Sequence, residues 1–78
     1  MDAKIEATGS LPSVLDVVAL LEARPEDGLA RGQVGTVVET LDARTLLVEF
    51  SDDDGRAYAL AACPARDLLV LHYVPEAA

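Results

Sequence analysis

Apolar residues fall into five short runs, at 14–21, 33–41, 45–51, 56–62 and 68–73, each bounded by residues that favour turns. Runs of this length, rich in Val and Leu and separated by Gly, Pro and Asp, predict strands rather than helices. The first run has a second reading, because Val14, Leu15, Val18 and Leu21 also fit one face of a helix. We read it as a strand, with the helix as the alternative. Residues 1–13 contain Gly9, Ser10 and Pro12 and show no strong period, which predicts a loose leader. Residues 14–74 then form one domain, followed by a short tail at 75–78.

The connections shape the expected architecture. Residues 22–31 make a long first loop punctuated by Pro25 and Gly28. Asp42-Ala43-Arg44 is a tight hairpin link. Asp52-Asp53-Asp54-Gly55 is a second, in which Asp54-Gly55 suits a two-residue turn with positive φ. Pro64-Ala65-Arg66-Asp67 offers one short helical turn before the last strand. Strand, long loop, three-stranded meander, helical turn and strand is the order of a small SH3-like barrel. The expected fold is therefore all-β, a five-stranded SH3-like barrel. Gly32, Gly35 and Gly55 are its candidate structural glycines, with Gly35 expected at a sharp bend of the second strand, where a Cβ has no room.

The motifs along this order resemble a known family. Leu-Asp-Val-Val-Ala-Leu-Leu-Glu at 15–22, Pro-Glu-Asp-Gly-Leu at 25–29 and Arg-Gly-Gln-Val-Gly-Thr-Val-Val-Glu at 31–39 come first. Val-Glu-Phe at 48–50, Asp-Gly-Arg-Ala-Tyr-Ala-Leu at 54–60 and Leu-Leu-Val-Leu-His at 68–72 follow. In this combination they resemble the bacterial domain-of-unknown-function family 4926. The resemblance covers roughly three quarters of the chain and implies no activity or site residue. The Gly-x-x-Gly-x-Val stretch alone, at Gly32, Gly35 and Val37, is similar to the SH3-like domain of nitrile hydratase β subunits, which implies at most a subunit-contacting role.

Charge narrows the function classes. The 78 residues carry 6 Lys plus Arg against 14 Asp plus Glu, a net charge of −8. Nucleic-acid binders draw affinity from cations that neutralise phosphates, so this balance argues against nucleic acid and against anionic membranes as partners. A core of this size is marginal, worth about 3–5 kcal/mol, which makes self-association or a bound partner plausible. Cys63 is the only cysteine, so the chain has no internal disulfide. No apolar stretch approaches a spanning helix, and Asp2 and Glu6 stand where a signal peptide is basic. A cytoplasmic location is expected.

Candidate chemistry is sparse. Asp52, Asp53 and Asp54 lack the alternating ligand spacing and distal Glu of a calcium loop, so they read as a solvated turn and no metal is expected. Cys63 with His72, the only histidine, is a weak candidate for a nucleophile and base, since nothing in the sequence brings the two together. Ser10, Ser13 and Ser51 lack a nucleophile-elbow context. There is no phosphate loop or zinc spacing. No catalytic residue, cofactor or small-molecule substrate is expected, and the chain reads as a non-enzyme. Proline-peptide grooves and methyl-lysine cages need aromatic rings. This chain has only Phe50, Tyr58 and Tyr73.

What remains is excess apolar surface on the first and last strands. Both alternating phases are apolar in each: Val17, Ala19 and Leu21 against Val18 and Leu20, and Leu68 and Val70 against Leu69 and Leu71. These strands are usual neighbours in SH3-like folds. We take Val17, Ala19, Leu21, Leu68 and Val70 as inward, and Val18, Leu20, Leu69 and Leu71 as an outward partner interface. The expected function is a non-enzymatic, acidic interaction module that binds another protein or itself, for instance masking a basic partner as an antitoxin or immunity factor does. One alternative is a KOW-like module at a ribonucleoprotein, with Arg31, Arg44, Arg56 and Arg66 as contacts. Another is an accessory domain of an enzyme complex.

Overall fold

A computed structural model describes residues 11–72. Five antiparallel strands form one sheet: β1 (Val17–Leu20), β2 (Val34–Asp42), β3 (Thr45–Ser51), β4 (Ala57–Pro64) and β5 (Leu68–Val70). Their spatial order is β4-β3-β2-β1-β5. The all-β expectation, the strand count and the neighbouring of β1 and β5 match the sequence reading; Tyr73, assigned there to the last strand, lies outside the described residues. The barrel does not close. Among the described residues β5 pairs with β1 alone, Leu68 with Leu20, Leu69 with Ala19 and Val70 with Val18, and β4 and β5 are the two edges of the sheet. Two 3-10 turns punctuate the sheet. Ala65–Asp67 is the expected one before β5, and Pro25–Asp27 lies in the long first loop.

β1 begins three residues later than its apolar run because the chain turns first. Ser13 N–H donates to Asp16 Oδ2 at 2.8 Å, and Asp16 N–H donates to the Ser13 carbonyl at 2.9 Å. Leu15 adopts φ +80°, a left-handed conformation that disfavours a Cβ by about 1–2 kcal/mol, and its side chain is 76% exposed. Val14 and Leu15 therefore serve neither a strand nor a helix.

One face of the sheet is the core. The register aligns Val18 with Gly35, Val37 with Val48, Val48 with Ala61, Phe50 with Ala59, and Leu46 with Cys63. Alternation turns all of these, with Leu20 and Leu68, to the same side. Val18, Leu20, Val37, Leu46, Val48, Phe50, Ala61, Cys63 and Leu68 are buried there together with Leu29. The phase expected for β1 is therefore reversed. Val18 and Leu20 are 0% and 1% exposed, whereas Val17 and Ala19 are half-buried and Leu21 is exposed. The cause is cross-strand. Val18 and Leu20 pair with Val70 and Leu68, which face inward as expected, so Val18 and Leu20 must share their side.

Gly35 shows why β2 needs a glycine. A Cβ there would lie 2.7 Å from Val48 Cγ1, 2.8 Å from the Glu49 carbonyl oxygen and 2.9 Å from Phe50 Cδ2. The absent side chain lets β2 lie directly against the largest core residue. Gly32 works differently: its φ is +90° and the space around it is open, so backbone conformation alone demands glycine.

The first loop is folded back on itself. Arg24 and Leu29 exchange backbone hydrogen bonds at 2.8 and 3.0 Å across the Pro25–Asp27 turn, and Gly28 closes that turn at φ +72°. This small clasp drives Leu29 into the core. The hairpin between β3 and β4 is longer than the expected two-residue link. Asp52 N–H bonds Arg56 O, Gly55 N–H bonds Asp52 O, and Gly55 takes φ +81° as the third loop residue.

Candidate functional site

The outward side of β5, β1 and β2 carries a run of exposed apolar residues. Leu69 pairs with Ala19 and Ala19 pairs with Val34, so the three form one cross-strand row. Leu69 is 50% exposed and Val34 46%. Leu71 continues the phase of Leu69; its N–H donates to the Val17 carbonyl at 2.9 Å, and the residue is half-buried. Between this row and the first loop lies a shallow hollow of about 490 Å³, lined by Ala19, Leu20, Leu21, Arg31, Gly32 and Leu69. Exposed Arg31 is the one charged residue in that lining.

Of the four interface residues expected from the sequence, Leu69 and Leu71 lie on this face. Val18 and Leu20 do not, since their side chains belong to the core. Ala19, Leu21 and Val34 take their places. Ala19 and Leu21 were legible as the other phase of the first strand, and Val34 needed the register with Ala19 to be found.

Neighbouring polar groups are mostly structural. Gln33 bridges two segments: its Nε2 donates to Tyr58 Oη at 2.6 Å, and its Oε1 accepts from Ala30 N–H at 2.5 Å. Arg24 donates from Nε to Asp27 Oδ2 at 2.9 Å and stands 3.6 Å from Glu26, and the hydrogen bond to Asp27 is the main reason its pKa is raised. Asp52 Oδ1 accepts from Asp54 N–H and Arg56 N–H, both at 2.9 Å. It is therefore part of the turn's scaffold and not merely solvated. Asp42 plays the same part in the β2–β3 hairpin. The N–H of Arg44, donating to its Oδ1 at 2.8 Å, leads the interactions that hold its carboxyl below the usual range.

Cys63 is fully buried on the inner face, and burial raises its thiol pKa, the opposite of what an activated nucleophile needs. His72 is exposed, two residues beyond β5. Among the described residues, no three His, Cys, Asp or Glu side chains gather as a metal site requires. Among them too, no helix is long and apolar enough to cross a membrane.

An open antiparallel sheet with one buried face and one partly apolar outer face defines a small all-β domain. The chain belongs to the family described as Domain of unknown function (DUF4926), whose model matches residues 14–70. No curated protein and no solved structure matches it.

Proposed function

We propose that this domain is a non-enzymatic, SH3-like interaction module whose outer β5–β1–β2 face docks a basic protein. The observation that carries the reading is the exposed row Leu69–Ala19–Val34 beside the hollow at Leu21 and Gly32. Apolar area of this kind on so small a domain marks a contact surface. The net charge of −8 selects the sign of the partner's fringe and speeds encounter with it. The same charge disfavours the ribonucleoprotein alternative, because phosphate contacts require the opposite balance. The SH3-like part of this reading is supported by the order strand, long loop, three-stranded meander, 3-10 turn and strand.

Leu69→Lys tests this reading. A lysine on an exposed position leaves the fold intact but places an unpaired charge in the centre of the contact. Affinity capture from a lysate of the source organism should yield a basic protein with the parent chain and lose it with Leu69→Lys, while circular dichroism of the two chains coincides. Capture of the same protein at equal yield by the variant would overturn the assignment of this face.

A further inference from the structure

The open edge of the sheet carries a second surface, distinct from the outer face just described. Val37 turns both backbone groups toward the segment leading into β1: its N–H donates to Asp16 O at 2.9 Å and its carbonyl accepts from Leu15 N–H at 2.7 Å. In an antiparallel ladder the bonding direction alternates residue by residue. Val48, opposite Val37, must then bond Ala61 on β4, which leaves the N–H and C=O groups of Leu60 and Ala62 directed away from β3. Pro64, which has no N–H to offer, falls in this same outward set. Among the described residues no strand pairs with that edge.

Long edge strands are ordinarily blunted by Lys, by Pro or by a bulge within the strand. Here residues 58–63 read Tyr-Ala-Leu-Ala-Ala-Cys, with no charge, and the irregularity at Phe50/Ser51 and Pro64 lie only at the two ends. Leu60, at the middle, is 59% exposed. The charges sit beyond the strand ends: a net acidic end, where Arg56 follows the Asp triplet, and an end that exposes two arginines beside Asp67. Before β4 comes the turn Asp52-Asp53-Asp54. After it, Arg44 and Arg66 flank a hollow of about 240 Å³ with Leu11, Pro64 and Ala65, held together by Ala65 N–H donating to Arg44 O at 2.8 Å. Arg66 stands 4.0 Å from Asp67, and its side chain is 84% exposed.

We propose that β4 pairs antiparallel with β4 of a second copy of this chain across a two-fold axis, joining the two sheets into one. Antiparallel pairing sets the start of each strand beside the end of the other. The acidic turn of one copy thus meets the Arg44–Arg66 end of its mate, and the match occurs twice. With Leu60 at the axis, Ala62 lies opposite Tyr58, and beyond the strand ends Arg66 of one copy falls on the side of the other copy's acidic turn. The uncharged centre lets two chains of like net charge approach along this line.

Light scattering and sedimentation of the full chain across a micromolar concentration series test the proposal. The mass should rise from 8.2 kDa to twice that value. Arg66→Glu and Asp54→Arg should each weaken association about tenfold or more, and the double variant should recover most of the loss, because it restores opposite charges in exchanged places. Ala62→Pro removes an outward N–H and should yield a monomer whose circular dichroism matches the parent. Leu69→Lys, which abolishes capture in the function test, should leave this self-association unchanged, so the two surfaces fail separately. A monomer at every concentration overturns the proposal, and amide protection of Leu60 and Ala62 in that monomer would assign the edge to another segment of the same chain. A dimer lost with Leu69→Lys, or one whose charge reversals are not rescued in the double variant, overturns it as well.

Discussion

On β1 and β2 the inward side holds Val18, Leu20, Gly35 and Val37, all buried, while the outward side holds Val17, Ala19, Val34, Thr36 and Val38, mostly apolar but half-buried or open. The two sides differ less in hydrophobicity than in what stands opposite. Inward residues meet Val48 and Phe50 of β3, Leu68 of β5 and Leu29 from the loop. Outward ones meet only their cross-strand neighbours. Burial here is set by the third dimension of the packing, and single-strand composition carries little of it.

The sharpest way to break the comparison is to fill the gap on the inward side. Gly35→Val would force atoms against a backbone carbonyl and two core side chains that already stand at 2.7–2.9 Å from an ideal Cβ. The expected loss is about 3 kcal/mol or more, from overpacking against groups that cannot yield, which is most of the stability of so small a domain. A thermal melt by circular dichroism should show no cooperative transition near that of the parent, and coincident melts would refute the close-packing account.

Truncation sharpens the contrast within β1 and β5. Leu20→Ala should destabilise by about 2–5 kcal/mol, as buried leucines do, while Leu69→Ala should stay below about 1 kcal/mol. Urea titrations of the two variants check this, and equal midpoints would mean that the sheet's sides are not distinct in solution.

The sheet-building part of this architecture was legible in the sequence. The positive φ of Gly55, the short helical turn at 65–67 and the succession of strands along the chain follow from local residue choice, whereas the loop before β4 is longer than its Asp-Gly pair suggests. Gly35 was also rightly singled out as a position without room for a Cβ. The phase of β1 was not legible, because Val-Val-Ala-Leu satisfies either side equally and alternation has nothing to distinguish. Only pairing with Gly35 on one flank and with Leu68 and Val70 on the other selects Val18 and Leu20. Closure was over-read for a related reason: five strands in the right order do not state how many residues of the fifth will pair. The scaffolding role of Asp52 was hidden inside an acidic triplet whose members look alike.

Gly32 offers a milder contrast with Gly35, since one is conformational and the other steric. Gly32→Ala should lose about 1–2 kcal/mol from the left-handed backbone alone, and Gly32→Asn less, because asparagine tolerates that region. An Ala variant as stable as the parent would show that the loop relaxes. The smallest effect expected is within the acidic triplet. Asp52→Ala removes an acceptor for two N–H groups and should lose about 1 kcal/mol, whereas Asp53→Ala should stay within about 0.5 kcal/mol. Chemical denaturation of the pair resolves the difference.

The pairing of β1 with β5 has a further consequence. Leu71 donates its N–H to the Val17 carbonyl, so the chain enters and leaves the sheet at neighbouring points. A domain with adjacent entrance and exit can be spliced into an exposed loop of another polypeptide, or have its order rewired by circular permutation, with only a short bridge between the two ends. The geometry suits the fold to insertion as a cassette, with its buried face intact.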